Sequence, residues 1–254
     1  MTSLRRTLAA TLCLAALAPA ALAQSAPKPG VSQQTRSTGT FDFYVRGFRA
    51  GILVFAGVES GSYYAVNGRF STAGLMAMMK KSSYASTVKG TVTHSATATT
   101  FAPSFYQVIA DPGPNQRVQS VTYTGNVPQP SVNSPPRAPD PEGVAPSTQA
   151  GTIDVLTALY ATLGRIPADQ ACKVALNIFD GTRRARLTLW PTDGGTGALQ
   201  CGGEYRRVAG YSAEDMARPA FPFTLTYEAL PNGMLQANTV VMDSIYGNAS
   251  LKRR

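Results

Sequence analysis

Histidine, cysteine and tryptophan are nearly missing from this sequence. Its 254 residues include one histidine, three cysteines and one tryptophan. A zinc site is therefore poorly supplied, because the lone imidazole, His94, has no cysteine at ligand spacing. No G-x-S-x-G elbow, His-Glu-x-x-His helix, phosphate loop or dinucleotide fingerprint occurs. A serine or cysteine triad would have to use His94, which lies in the threonine-rich run TVTHSAT (91–97) and is expected to face solvent. Acidic residues are also scarce, 14 against 23 basic ones, for a net charge of +9. They still offer carboxylate pairs to glycoside chemistry, but sequence gives no separation for them. No later segment reaches the roughly 20 apolar residues of a membrane-spanning helix. Zinc-finger, helix-turn-helix and RNA-binding signatures are missing too, so the positive charge does not point to nucleic acid. The expectation is a chain with no catalytic residue, metal or cofactor.

What is present begins with the leader MTSLRRTLAATLCLAALAPAALAQ. A basic start (Arg5, Arg6) precedes an apolar run from Leu8 to about Leu17, then Ala21-Leu22-Ala23. This is the pattern of a secretory signal cleaved after Ala23, and the periplasm is the expected compartment. Cys13 sits inside the apolar run, where Leu12 fills a position that a lipoprotein signal gives to a small residue. Removing 23 of the 254 residues leaves 231, with Cys172 and Cys201 as an even pair. In an exported chain such a pair is expected to be a disulfide. Taking Arg5 and Arg6 from the 23 basic residues leaves 21 against 14 acidic, a net +7. That balance suits lipid head groups or other anionic envelope components.

Residues 24–38 are polar and proline-bearing and are expected to form a disordered leader. From Gly39 the pattern has period two. TFDFYVRG (40–47) alternates Phe41, Phe43 and Val45 with Asp42, Tyr44 and Arg46, and similar runs recur between Gly, Pro, Asn and Asp clusters. The exception GLMAMMKK (74–81) suits one helical turn whose methionines pack on the sheet. NVPQPSVNSPPRAPDPEGVAPSTQA (126–150) has seven prolines, so it reads as an extended strap. The one convincing helix covers 153–163: Thr152 can cap it, Ile153, Leu156, Leu159, Tyr160 and Leu163 form its stripe, and Gly164 ends it. The fold class is mainly β: a single curved antiparallel sheet making an open or spiral barrel of about a dozen strands. Helix 153–163 is its plug or lid, and residues 39–254 form one domain.

The densest charge lies in NIFDGTRRARLTLW (177–190). Asp180-Gly181 marks a hairpin turn, and alternation sets Arg184 and Arg186 opposite Arg183, Ala185, Leu187 and Leu189. Edge charge that discourages strand pairing is one reading. The other is a site in which Arg183, Arg184 or Arg186 meets an anionic ligand, or an internal carboxylate, Asp180 or Glu204.

YVRGFRAG (44–51), STVKG (86–90), a proline-rich segment, TIDVLTALY (152–160), IFDGTRR (178–184), a Cys-x-Gly-x-Tyr strand (201–205) and RVAGY (207–211) follow in order. The chain resembles in this a proteobacterial exported family, domain of unknown function 3108, over roughly Thr40 to Leu251. Val155 departs from the proline that the family typically has after the helix-motif aspartate. The resemblance implies compartment and fold, with Cys172 and Cys201 matching the family's pair. By fold analogy, exported single-sheet proteins of this type wrap an apolar cavity closed by a helix. A non-catalytic binder of a lipid or lipid-like envelope component is thus the first expectation. Its cavity would lie between sheet and helix 153–163, with Arg184 or Arg186 at the rim. An envelope scaffold binding another periplasmic protein comes second, and an enzyme acting on cell-wall polymer third.

Overall fold

The computed structural model describes residues 34–111, 116–192, 198–245 and 247–254, Leu75 by its backbone alone. The expected signal segment and residues 24–33 of the leader lie outside them. Strands β1 (Gln34–Val45), β2 (Phe48–Ser60) and β3 (Tyr63–Thr72) lead to a six-residue helix, α1 (Gly74–Met79). Then come β4 (Ser83–His94), β5 (Thr99–Asp111), β6 (Arg117–Thr124) and the short β7 (Val127–Pro128) and β8 (Val132–Ser134). A 3-10 turn (Pro146–Thr148) precedes helix α2 (Val155–Leu163) and β9 (Arg165–Pro167). β10 (Ala175–Phe179), β11 (Arg184–Pro191) and β12 (Gln200–Ala209) are followed by α3 (Ala213–Met216), then β13 (Ala220–Ala229), β14 (Met234–Ser244) and β15 (Gly247–Arg253).

All fifteen strands belong to one antiparallel system in the order β10-β11-β12-β13-β14-β15-β1-β2-β3-β4-β5-β6-β7, with β8 beside β6 and β9 beside β14. The excess over a dozen comes from the short pieces β7, β8 and β9. The leader ends earlier than expected: Gln34 to Thr38 already pair with Ser60 to Ala56 of β2. Alternation explains the curvature. Leu53, Phe55 and Gly57 of β2 point inward while Val54 and Ala56 face out, and Tyr64 and Val66 do the same on β3.

Helix α2 is a plug rather than a lid. Six of its nine residues are buried. Leu156, Tyr160 and Leu163 share one core with Phe41, Phe55, Val66, Val88, Tyr106, Val121, Leu225 and Tyr227, contributed by strands all round the sheet. Its cap is Asp154, not Thr152, whose hydroxyl is used instead on the Gln149 carbonyl (2.7 Å). Asp154 accepts from the Thr157 amide (2.9 Å) and from the Thr157 hydroxyl (2.6 Å). Since that hydroxyl's proton goes to Asp154, Tyr64 must be the donor in its 2.7 Å contact with Thr157 Oγ1. At the other end, Arg253 donates to the Leu163 carbonyl (3.0 Å) and lies over the Phe41 ring, placing a cation at the helix C-terminus. Tyr227 donates to the Thr162 carbonyl (2.9 Å).

The proline-rich segment crosses the gap between the two ends of the sheet. β7 and β8 pair with β6. Farther along, the Ser131 hydroxyl donates to the Gly181 carbonyl (2.8 Å) and the Val144 amide to the Thr182 carbonyl (3.0 Å). The Gly151 amide then reaches the Asn126 carbonyl, and Ile153 bridges β10 through Asn177 and Phe179. Cys172 and Cys201 form a disulfide with a sequence separation of 29, tying the approach to β10 to the start of β12.

Two stability predictions follow from this core. Burial, only partly offset by the Thr157 hydrogen bonds, raises Asp154 to a pKa of about 6. A carboxyl whose pKa is raised on folding favours the folded state below its unfolded value of 3.8, and that advantage is lost as pH rises through 6. Asp154→Asn keeps a capping side chain without the charge. In urea unfolding, the wild type should lose about 2 kcal/mol relative to this variant between pH 4 and 7. A constant difference would refute the assignment. Separately, Cys172→Ala/Cys201→Ala should lower unfolding free energy by about 3 kcal/mol, as loop entropy requires for a loop of this length.

Candidate functional site

Among the described residues, Arg183, Arg184 and Arg186 make no ion pair with Asp180 or Glu204; Arg183 pairs with Asp140 of the strap and, with Asp180, lines a cavity of about 350 Å³. Asp180 is spent on the turn, its Oδ1 accepting from the Thr182 and Arg183 amides (2.9 and 2.7 Å) while Gly181 supplies φ of +100°. The loop is longer than a two-residue Asp-Gly turn, because Phe179 and Arg184 are the last pair before it. Arg183 lies over the Tyr211 ring, 5.3 Å from its centroid, and approaches Asp140 of the strap at 3.9 Å. Arg184 is half-buried beside a register shift, and Arg186 is exposed between Asn177 and Arg206. Glu204 turns to Arg206 on its own strand, in a bidentate pair at 2.7 and 2.9 Å. Asp180 fixes the turn itself, and Arg183 holds the hairpin to Tyr211 and the strap. Tyr160, Phe55, Tyr64 and Leu156 pack the space beneath the helix, and neither Arg184 nor Arg186 lines the cavity that opens on its flank.

A cavity of about 400 Å³ does open at the seam, between β10, the start of β5 and the flank of α2. Its floor includes Phe101, Tyr160, Ile166, Leu176 and Met234, and its polar lining includes Glu59, His94, Thr99, Arg165, Gln170, Lys173 and Asn177. Gly57 makes room for the floor, since a Cβ there would collide with the Tyr160 ring. Edge-to-face contacts of Tyr160 with Phe55 (6.1 Å) and Phe101 (5.8 Å) fix that ring.

One hydrogen-bonded chain runs along the lining. Tyr160 donates to Glu59 Oε1 (2.9 Å), and Glu59 Oε2 meets His94 Nε2 (2.9 Å). His94 Nδ1 meets Thr99 Oγ1 (3.2 Å), Thr99 donates to Gln170 Oε1 (3.0 Å), and Gln170 Nε2 donates to the Ser95 carbonyl (3.1 Å). Both imidazole nitrogens are thereby engaged, one by Glu59 and one by Thr99. Burial, with the Glu59 carboxylate next to it, pushes the Tyr160 phenol well above its usual range, so it stays a neutral donor. Glu59 is mostly covered (14% exposed) and His94 half open (54%). Glu59 is the one carboxylate among the described lining residues. Thr99 gives its proton away from the histidine, so no hydroxyl is activated here. The arrangement holds polar groups in fixed positions along one wall of the cavity.

β10 adds backbone groups to the same cavity. Leu189 donates to the Val174 carbonyl on the β11 side, whereas the Asn177 carbonyl and the Phe179 amide turn outward to Ile153. By alternation, the Asn177 amide and both backbone groups of Ala175 also point to the open edge. His94 holds the exposed strand position expected for it, whereas no local pattern marked Glu59, its partner 35 residues away.

None of the curated proteins matches the chain in sequence. Among solved structures, a β-barrel-like protein of domain of unknown function DUF1849 from Brucella abortus is similar, with a TM-score of 0.49 and 11% identity, over 89% of this chain and 98% of that one. The profile of the family described as "Protein of unknown function (DUF3108)" matches residues 40–192, a span ending short of the expected Leu251 but containing Glu59, His94, Tyr160 and the IFDGTRR hairpin. The chain belongs to that family.

Proposed function

We propose that this chain is a non-catalytic binding protein of the cell envelope, whose seam groove takes an extended polypeptide segment of another protein as an added strand on β10. The observation that carries the reading is the open edge: the Asn177 amide and the backbone groups of Ala175 face a cavity of about 400 Å³ with an aromatic floor. Unpaired edge groups are what strand addition uses, with pockets for alternate side chains setting specificity. The flanking Arg165 and Lys173 favour a segment with acidic side chains. Glu59, held by His94 and Tyr160, keeps the polar wall in place. An acyl chain as ligand would need the interior volume that Phe55, Tyr64, Leu156 and Tyr160 occupy. Action on cell-wall polymer would need a second carboxylate near Glu59.

A photo-crosslinking residue placed at Lys173 should give discrete protein adducts in cells that express the full sequence. Asn177→Pro removes the outward N–H while keeping extended backbone and the carbonyl used by Ile153. It should abolish those adducts with the melting temperature nearly unchanged. Adducts that survive the proline would rule out strand addition.

A further inference from the structure

The opposite end of the barrel carries a different surface. Three connections meet there: the β1–β2 turn, the β3–α1–β4 crossing and the β14–β15 turn. Helix α1 was expected to pack its methionines on the sheet, and it does not. Its attachment is made by backbone: the Ala73 amide donates to the Ala50 carbonyl, and Gly74, at φ of +57°, sits against the Arg49 carbonyl. The close approach leaves no depth beneath the helix for long side chains, so Met78 is 84% and Met79 76% exposed. Phe48 at 70% and Ile245 at 54% stand at the same end, on the two neighbouring turns. Lys80 and Lys81 follow the methionines directly and are exposed as well.

Exposed side chains of this size, grouped at one end and bordered by cations, mark a contact surface rather than ordinary surface scatter. We propose that this end docks on an anionic lipid surface, with Met78, Met79, Phe48 and Ile245 entering the head-group region and Lys80 and Lys81 at the phosphates. Charge complementarity selects the occupant: consecutive lysines beside the apolar tips, in a chain of net +9, suit a surface of negative head groups. Among the described residues no helix is long and apolar enough to cross a membrane. It uses residues remote from the seam groove and stands whether or not that groove binds a strand.

The test is co-sedimentation of the protein, purified from the envelope fraction of cells expressing the full sequence, with two kinds of vesicle. One is pure phosphatidylcholine; the other contains about a third phosphatidylglycerol. Binding should favour the anionic vesicles and weaken with salt. Lys80→Gln/Lys81→Gln should reduce it by roughly tenfold or more, from the usual electrostatic contribution of surface lysines. Met78→Ser/Met79→Ser should reduce it in both low and high salt, with the melting temperature unchanged because both side chains are already exposed. Tyr63→Ser, 69% exposed at the groove end, is the control and should bind like the wild type. Equal binding by all three variants overturns the proposal, as does failure to bind anionic vesicles at low salt. A concentration-dependent dimer that Met78→Ser/Met79→Ser dissolves would also overturn it, by assigning the patch to a second copy. None of these outcomes bears on the crosslinks at Lys173.

Discussion

A buried carboxylate holds this barrel's plug in place. Asp154 is fully covered, accepts two hydrogen bonds from Thr157, and reaches β3 through the Thr157–Tyr64 contact. Removing a carboxylate from water is costly unless its lone pairs are met. Here they are met by a backbone amide and a hydroxyl, without a cation, and the raised pKa records the imbalance. Tyr64, Tyr106 and Tyr123 all feel that charge, and their phenols are held above the usual range by burial first and by Asp154 next. The helix start is thus fixed in position and angle. With α2 set, Tyr160 falls between Phe55 and Phe101 and points its hydroxyl at Glu59.

The groove exists because the sheet does not close on itself. β10 and β6–β7 are its two ends, and the segment between them is too rich in proline to supply a regular ladder. The strap substitutes separate contacts at Gly181, Thr182 and Asn126. Ile153 covers the C-terminal end of β10 and no more. The part of β10 toward Lys173 therefore keeps outward backbone groups, while the hydrogen-bonded lining from Glu59 to Gln170 keeps the facing wall rigid. Arg183 contributes by bracing the hairpin between Tyr211 and Asp140, a supporting role for a residue type that the sequence made conspicuous.

Legibility in the sequence followed the range of the interaction. Period-two runs reported the strands because facing in or out is a local consequence of pleating, and the helix stripe from Leu156 to Leu163 was equally local. The cysteine pair was legible from compartment logic. The cap was misplaced by two residues because Thr152 and Asp154 both suit the position, and only the 149–152 turn takes the threonine away. The exposure of Met78 and Met79 could not be read, since composition says "core" and the decisive fact is how closely Gly74 brings two backbones together. Glu59 with His94 was invisible for another reason: register over three strands decides it, and one residue of slip would send both side chains to other faces.

β2 connects the two surfaces. Phe48 stands at its first residue and Glu59 near its last, so the same strand begins at the apolar, lysine-bordered end and finishes at the groove. Eleven residues at about 3.3 Å each set them some 35 Å apart. Between them Tyr160 lies over Gly57, edge-on to Phe55. A rigid barrel held to a lipid surface by one end would present the open edge of β10 away from that surface, at about the barrel's own length. In that orientation a strand could reach the groove from the far side without competing for the lipid contact. The unclosed seam, awkward in a free-standing barrel, then sits where a second protein has room to complete it.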